Sequence, residues 1–142
     1  FDGSWSTDSE ASDFEKMETG VNARAIDFAK FGALFLNGGR WQGNQVISKE
    51  WVDESTQPPF PQKEAAYYPE WFTFLPGHSY YKYMWWGMGR EEAAYDFSAE
   101  GDKGQFIYVS PHKNLVIVRN GINYGIPADE WLKLFYEFAS QY

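Results

Sequence analysis

The spacing of hydrophobic positions changes along the chain from irregular to helical, then to strand-like, then back to helical. In residues 1 to 21, Ser4, Ser6, Thr7, Ser9 and Ser12 are interspersed with Asp and Glu around two isolated aromatics, Trp5 and Phe14, which predicts an irregular opening segment. A helical period follows. Asn22 suits an N-cap, and Ala23 to Leu36 contains no Pro and few β-branched residues. At about 100° per residue, Ile26, Ala29, Ala33 and Leu36 share one face and Phe28, Phe31 and Phe35 another. Asp27, Lys30 and Asn37 form a narrow polar strip between them. A helix with two apolar faces is expected inside a larger body. Asn37-Gly38-Gly39 should end it, because Gly takes the left-handed conformation without steric cost. Arg40 to Val46 predicts a tight turn around Gly43-Asn44. Ser48 is placed to cap a short helix through Lys49, Glu50, Trp51 and Val52, with Glu50 favourable for the helix dipole and Pro58, Pro59 and Pro61 ending it.

Phe60 to His78 has no period and reads as a long loop, a length that in compact domains usually serves function or covers something. Tyr81 to Met88 and Tyr95 to Ala99 are candidate strands. Gln105 to Ser110 and Leu115 to Asn120 form a hairpin around Pro111-His112-Lys113-Asn114. Leu115-Val116-Ile117-Val118 is apolar on both faces, which predicts a central strand. From Ala128 to Ser140, Trp131, Leu132, Phe135, Phe138 and Ala139 make one apolar stripe, so a terminal helix should pack on the sheet through Trp131, Phe135 and Phe138. Asp129 and Lys133 sit at the i,i+4 spacing of a helical ion pair. The order helix, long loop, strands, helix indicates an α+β fold, an antiparallel sheet with flanking helices.

At 142 residues the chain is the size of one domain, 1–142. Twelve Phe, ten Tyr and seven Trp make 20% of it aromatic, which is incompatible with intrinsic disorder. The net charge of −8 argues against nucleic acid and against an anionic membrane surface as partners. The absence of Cys removes disulfides, thiolate metal sites and a Cys nucleophile, and suits exported and cytosolic proteins equally. No apolar run approaches the ~20 residues of a membrane span. The chain opens at Phe1 without a Met, as a piece of something longer or a mature form would.

Candidate chemistry is sparse. His78 and His112 lie in no ligand spacing, so no metal is expected, and Gly87-Met88-Gly89 lacks the third Gly and the helix of a dinucleotide fingerprint. Adjacent Glu91 and Glu92 read as a solvated turn, and no Ser stands in a nucleophile-elbow context. Two segments have two readings each. The run Tyr80 to Trp86 is either a strand with half of its rings in the core or a stacking wall for a ligand, the latter making the domain a non-catalytic carbohydrate- or peptide-binding module. Ala99-Glu100-Gly101-Asp102-Lys103-Gly104-Gln105 is either a tight turn or an edge opened by glycines for a substrate backbone.

Three stretches together resemble the C-terminal half of the serine β-lactamase-like hydrolases: class C β-lactamases, penicillin-binding-protein-like esterases and 6-aminohexanoate-oligomer hydrolases. Gly20 to Trp41, continuing QGNQVISKEWV, is similar to the family's G-x-N-x-x-x-x-D-x-x-x-F-G helix and its G-G-x-W turn. Tyr83-Met84-Trp85-Trp86 is close to Y-G-x-x-W-W. Gly101 to Gly121 resembles G-H-G-G-Q-x-I-x-V-x-P-x-x-N-L-V-V-V-x-x-G. The resemblance implies the C-terminal portion of a β-lactamase/transpeptidase-like fold. Its activity would be that of a serine hydrolase cleaving an ester, amide or peptide bond of a small molecule through an acyl-enzyme, without cofactor. The family's Y-x-N motif is absent from the chain. The chain's two S-x-x-K spacings, Ser79 to Lys82 and Ser110 to Lys113, fall at a candidate strand and a hairpin loop and not at the start of a helix, so the missing N-terminal part of the same domain would supply both motifs. The family's third element, K-T-G on a strand edge, falls on Asp102-Lys103-Gly104, with Asp102 in place of Lys or His. The resemblance makes the backbone N–H of Gln105 an oxyanion-hole donor and Asp102, Lys103, Gly104, Trp85 and Trp86 a substrate wall. It favours a periplasmic or extracellular location. The chain by itself should be inactive, and should expose an apolar patch or cover it by self-association.

Overall fold

The computed structural model describes residues 2–16, 19–58, 72–75, 78–90 and 94–142. A small antiparallel pair, β1 (Gly3–Trp5) and β2 (Val21–Ala23), precedes α1 (Ala25–Leu36). The hairpin β3 (Arg40–Trp41) and β4 (Asn44–Gln45) leads into α2 (Lys49–Thr56). Then come β5 (Ser79–Lys82), β6 (Trp85–Gly89), β7 (Tyr95–Gly101), β8 (Gln105–Ser110) and β9 (Leu115–Arg119), one antiparallel five-stranded sheet in sequence order. The terminal helix is α3 (Ala128–Ser140). Strand alternation sends Phe106, Tyr108 and Met88 to the face where α3 contributes Leu132, Phe135 and Ala139. Trp85, Phe97 and Val109 go to the other face, against Phe35 of α1 and Val52 of α2. The result is three layers, helices on sheet on helix, as an α+β domain requires.

Several elements depart from the sequence pattern for local reasons. Asn22 is not the N-cap of α1. It pairs with Ser4 in the β1–β2 ladder, and the helix begins after Arg24. On the narrow polar strip, Asp27 is wholly buried, with Arg24 Nε and Lys30 Nζ each 2.8 Å from its oxygens. Those hydrogen bonds, Arg24's first, hold its carboxyl well below the usual carboxylate range. The turn after β3 is at Gln42-Gly43, one residue earlier than expected, both with positive φ. Ser48 Oγ accepts from the Trp51 N–H at 3.1 Å and caps α2 as its sequence suggests.

The candidate strand Tyr81 to Met88 is instead a hairpin. Tyr83 and Met84 both take positive φ, of 46° and 69°, and turn the chain back so that Lys82 pairs with Trp85. The expected central strand, β9, stands at the end of the sheet among the described residues. Its two apolar faces come from cover on both sides: Val116 packs with the α1 cluster, and Leu115 and Ile117 pack with the α3 cluster. On α3, Phe135 is buried and Trp131 half-buried, but Phe138 is 43% exposed. Lys133 faces Glu137 at 3.8 Å, the turn opposite to the expected Asp129 partner. Most of the expected Phe60–His78 loop, and Glu91 and Glu92, lie outside the described residues.

Candidate functional site

One end of the sheet opens into a cavity of about 1010 Å³. Its walls come from three places. The β7–β8 hairpin tip contributes Gly101, Asp102 and Gln105; β1, β2 and the segment between them contribute Trp5, Ser6, Lys16 and Asn22; the loop after β9 contributes Asn120, Gly121 and Ile122. Phe28 of α1 and Ile107 of β8 line it from the apolar side. Trp5 holds the second of these walls together: its indole N–H lies 2.8 Å from the Lys16 carbonyl and 3.0 Å from that of Thr19.

The tip is a turn at the sheet's end and not a sheet edge, because β8 has neighbours on both sides. Gln105 closes it, paired with Gly101. The Gln105 carboxamide donates to the Asp102 carbonyl at 3.1 Å and the Gly121 carbonyl at 2.5 Å, and accepts from the Gly121 N–H at 3.0 Å. Asp102 is exposed, and its carboxylate accepts from the Lys103 N–H at 2.8 Å, a local turn bond that lets Lys103 hold φ +60°. The Lys103 side chain is exposed but is not among the cavity walls. Gly104 is buried, with φ +78°.

Trp85 and Trp86 do not join this group. Consecutive strand residues point to opposite faces. Trp85 is buried against Phe35, 4.8 Å between ring centroids, and edge-on to Phe97 at 5.0 Å. Trp86 lies on the α3 side, edge-on to Phe72. Tyr80 is also buried, its hydroxyl donating to the Thr56 carbonyl at 2.6 Å. The aromatic run therefore forms no single wall: Tyr83, 52% exposed, stands at the turn against Trp51, and Tyr81 pairs with Trp86 at 4.5 Å between ring centroids.

Trp5, Lys16, Asn22, Asn120 and Ile122 were not legible as cavity residues. Trp5 reads only as an isolated aromatic in a polar segment, Asn22 as a helix cap, Asn120 as the end of a strand, and Ile122 lies in no periodic run. Glu100 also touches the cavity, and burial, reinforced by Asp129, pushes its carboxyl up to about 7. Elsewhere, Asp96 is fully buried and accepts from Arg90 Nε at 2.6 Å and from the Tyr108 hydroxyl. His112 Nδ1 stands 3.5 Å from Asp96 Oδ1 and 3.3 Å from Ser110 Oγ. This is no catalytic triad. Serine and carboxylate approach the same ring nitrogen, whereas a relay needs one on each, and Ser110 is sealed from solvent. Among the described residues no cluster of three His, Asp or Glu could hold a metal.

No protein-family profile matches the chain. Over 100 residues, 70% of its length, it is 31% identical to a 6-aminohexanoate-dimer hydrolase of Paenarthrobacter ureafaciens. Its fold matches that of a solved Bacillus anthracis protein provisionally named 6-aminohexanoate-dimer hydrolase, with a TM-score of 0.69, 25% identity and 96% of the chain covered. The chain spans 24% of the first protein and 33% of the second.

Proposed function

Because this chain belongs to the β-lactamase-like hydrolases and corresponds to a C-terminal part of their domain, we propose that it builds one wall and part of the oxyanion hole of a serine acyl-transfer site. The observation carrying this reading is the cavity at the sheet's end, lined by Gly101, Asp102 and Gln105. A serine and lysine of an S-x-x-K segment outside this chain face that tip. The serine oxygen attacks the substrate carbonyl while its proton passes to the lysine. The carbonyl oxygen becomes an oxyanion held by backbone N–H groups, Gln105's among them. The C–O or C–N bond then breaks, the leaving group takes the proton, and water releases the acyl group from the serine. Asp102 and Lys103 meet the substrate at the tip as its polar contacts. Gly104 shapes the turn without touching the substrate. The substrate is a small ester, amide or peptide, and the amide oligomers named for the relatives are the first to try.

The partner is the rest of the same domain. Three apolar features support this. Ile26 and Phe31 of α1 are 58% and 40% exposed; β9 ends the sheet; and Ile117, Leu134 and Phe138 border a groove of about 400 Å³. Without that partner, the chain covers these surfaces by associating with itself.

The test is complementation. The chain alone should show no turnover, and joining it to its upstream S-x-x-K segment should give ester hydrolysis that is lost again when that serine is replaced. Ser6 is the serine to watch, since it lines the cavity with Lys16. Robust activity from the chain alone, with Ser6 labelled by an acylating probe, would overturn the proposal.

A further inference from the structure

Arg119, the last residue of β9, falls on an unspecified position of the Gly101–Gly121 motif, yet it makes a dense set of contacts at the cavity's rim. One arm of its guanidinium, Nη1, donates to the Gly104 carbonyl at 2.5 Å and reaches the Lys103 carbonyl at 3.4 Å. The other arm, Nη2, donates to the carbonyls of Asn123 at 3.0 Å and Tyr124 at 3.3 Å. Its flat face lies on the indole of Trp131, 4.4 Å from the ring centroid. Trp131 in turn donates from Nε1 to the Tyr124 carbonyl at 2.6 Å. One side chain thus ties together the β7–β8 tip, the loop after β9 and α3.

The neighbouring glycines make room for it. A Cβ on Gly104 would overlap Arg119 Nη1, and a Cβ on Gly121 would overlap the same atom and stand 2.5 Å from the Lys103 carbonyl. The glycines bounding this segment therefore admit the guanidinium. Only a planar cation with donors on both arms can serve four carbonyls and stack on a ring at once. Lys offers the charge without the plane.

Both segments that Arg119 joins carry cavity walls: Gly101, Asp102 and Gln105 on the tip, and Asn120, Gly121 and Ile122 on the loop. Ile122, a large apolar residue 91% exposed, is held out on that loop. We propose that Arg119 is the positioning residue of this site, fixing the hairpin tip and the 121–125 loop as one rigid rim so that backbone donors and rim side chains keep their places around the substrate. The proposal rests on the hydrolase reading for its kinetic consequence and on the geometry alone for the rigid rim, so the two are tested separately.

Amide hydrogen exchange on this chain tests the rim. Arg119→Lys should speed exchange at 102–105 and 120–125 together, by about tenfold or more, with β6 and the middle of β7 unchanged. Gly121→Ala, which displaces the guanidinium while leaving Arg119 in place, should do the same. Unchanged exchange, or a change in only one of the two segments, overturns the proposal. In the full-length protein, Arg119→Lys should lower kcat by about 10- to 100-fold, as a displacement near 1 Å does, with KM changed less than about threefold. An active wild type with an unaffected variant would sink the catalytic half of the inference. An inactive wild type would instead sink the hydrolase reading, leaving the exchange result to decide the role of Arg119.

Discussion

Gly32 tests whether α1 is seated on the sheet as tightly as the geometry states. It lies buried mid-helix, where Ala is ordinarily better than Gly by about 1 kcal/mol. A methyl added here, however, would stand 2.7 Å from Val116 Cγ1 and 2.9 Å from Ile107 Cγ2, with Val109 Cγ2 at 3.5 Å. The first two are closer than Cβ contacts found in real proteins. Both side chains are β-branched and stiff at χ1, so they cannot swing aside, and α1 has to lift. Overpacking of that kind costs about 1–3 kcal/mol, and two overlaps place this site in the upper half of the range. After the helix-propensity gain, Gly32→Ala should destabilise the chain by about 1–2 kcal/mol, read as a lower urea midpoint at unchanged slope. Val116→Ala removes the nearest methyl, and in that background the same substitution should become neutral or stabilising, a coupling of at least about 1 kcal/mol. A single variant that is more stable than the wild type by the propensity increment would show that the helix has slack, and the close seating of α1 would be wrong.

Two further substitutions probe the opposite face. Phe135 packs against Phe106, Tyr108 and Trp131 with ring centroids 5.7, 5.8 and 5.9 Å away, and Phe135→Ala should cost about 3–5 kcal/mol in urea unfolding; a loss below about 1 kcal/mol would make α3 peripheral. Glu100, pushed up to about 7 by burial and then by Asp129, binds its proton more tightly folded than unfolded, so stability falls as pH rises from about 4.5 to about 7 and is flat above. A shift of that size is worth about 3 kcal/mol in full, cut to about 1–2 kcal/mol by partial solvation of the group, so Glu100→Gln should gain about that much at pH 8 and nothing at pH 4. Equal effects at both pH values would contradict the raised carboxyl.

What the sequence reveals here follows from how local each cause is. The extents of α3 and β8, the Ser48 cap and the Gly38-Gly39 stop rest on side-chain period and backbone preference within one turn, so they can be read directly. The break at Tyr83-Met84 cannot, because neither residue signals a left-handed turn and the aromatic pattern runs straight through it. The place of β9 was misread because two-sided apolarity records cover on both faces and says nothing of lateral neighbours. The polar strip of α1 is legible, but the full burial of Asp27 within it is not, because a carboxylate paired with Arg24 and Lys30 looks the same in sequence whether or not water reaches it. At the site, the Gly101–Gln105 segment was visible as glycines before a strand. One further wall comes from residues about seventy to a hundred positions earlier, between Trp5 and Phe28, whose approach depends on how α1 crosses the sheet, and another from the loop after β9.

That distribution also bears on Asp102 and Lys103, which stand at the tip where the K-T-G motif that this segment resembles has other residues. Both side chains are exposed, and the Asp102 carboxylate bonds only the next amide of its own turn among the described contacts. The conformation of the tip is set instead by Gln105 and Arg119 acting on its carbonyls, and by Gly104 and Gly121 making room for them. A rim whose working groups are backbone N–H donors places its sequence constraints on the residues that hold the backbone, which stand before and after the substrate-facing positions. If the tip works as proposed, substitution at 102 or 103 should change what the cavity prefers without changing where the donors point. On the same reading, substitution at 119 should move the backbone donors and the rim side chains together, since both ride on the segments that Arg119 ties.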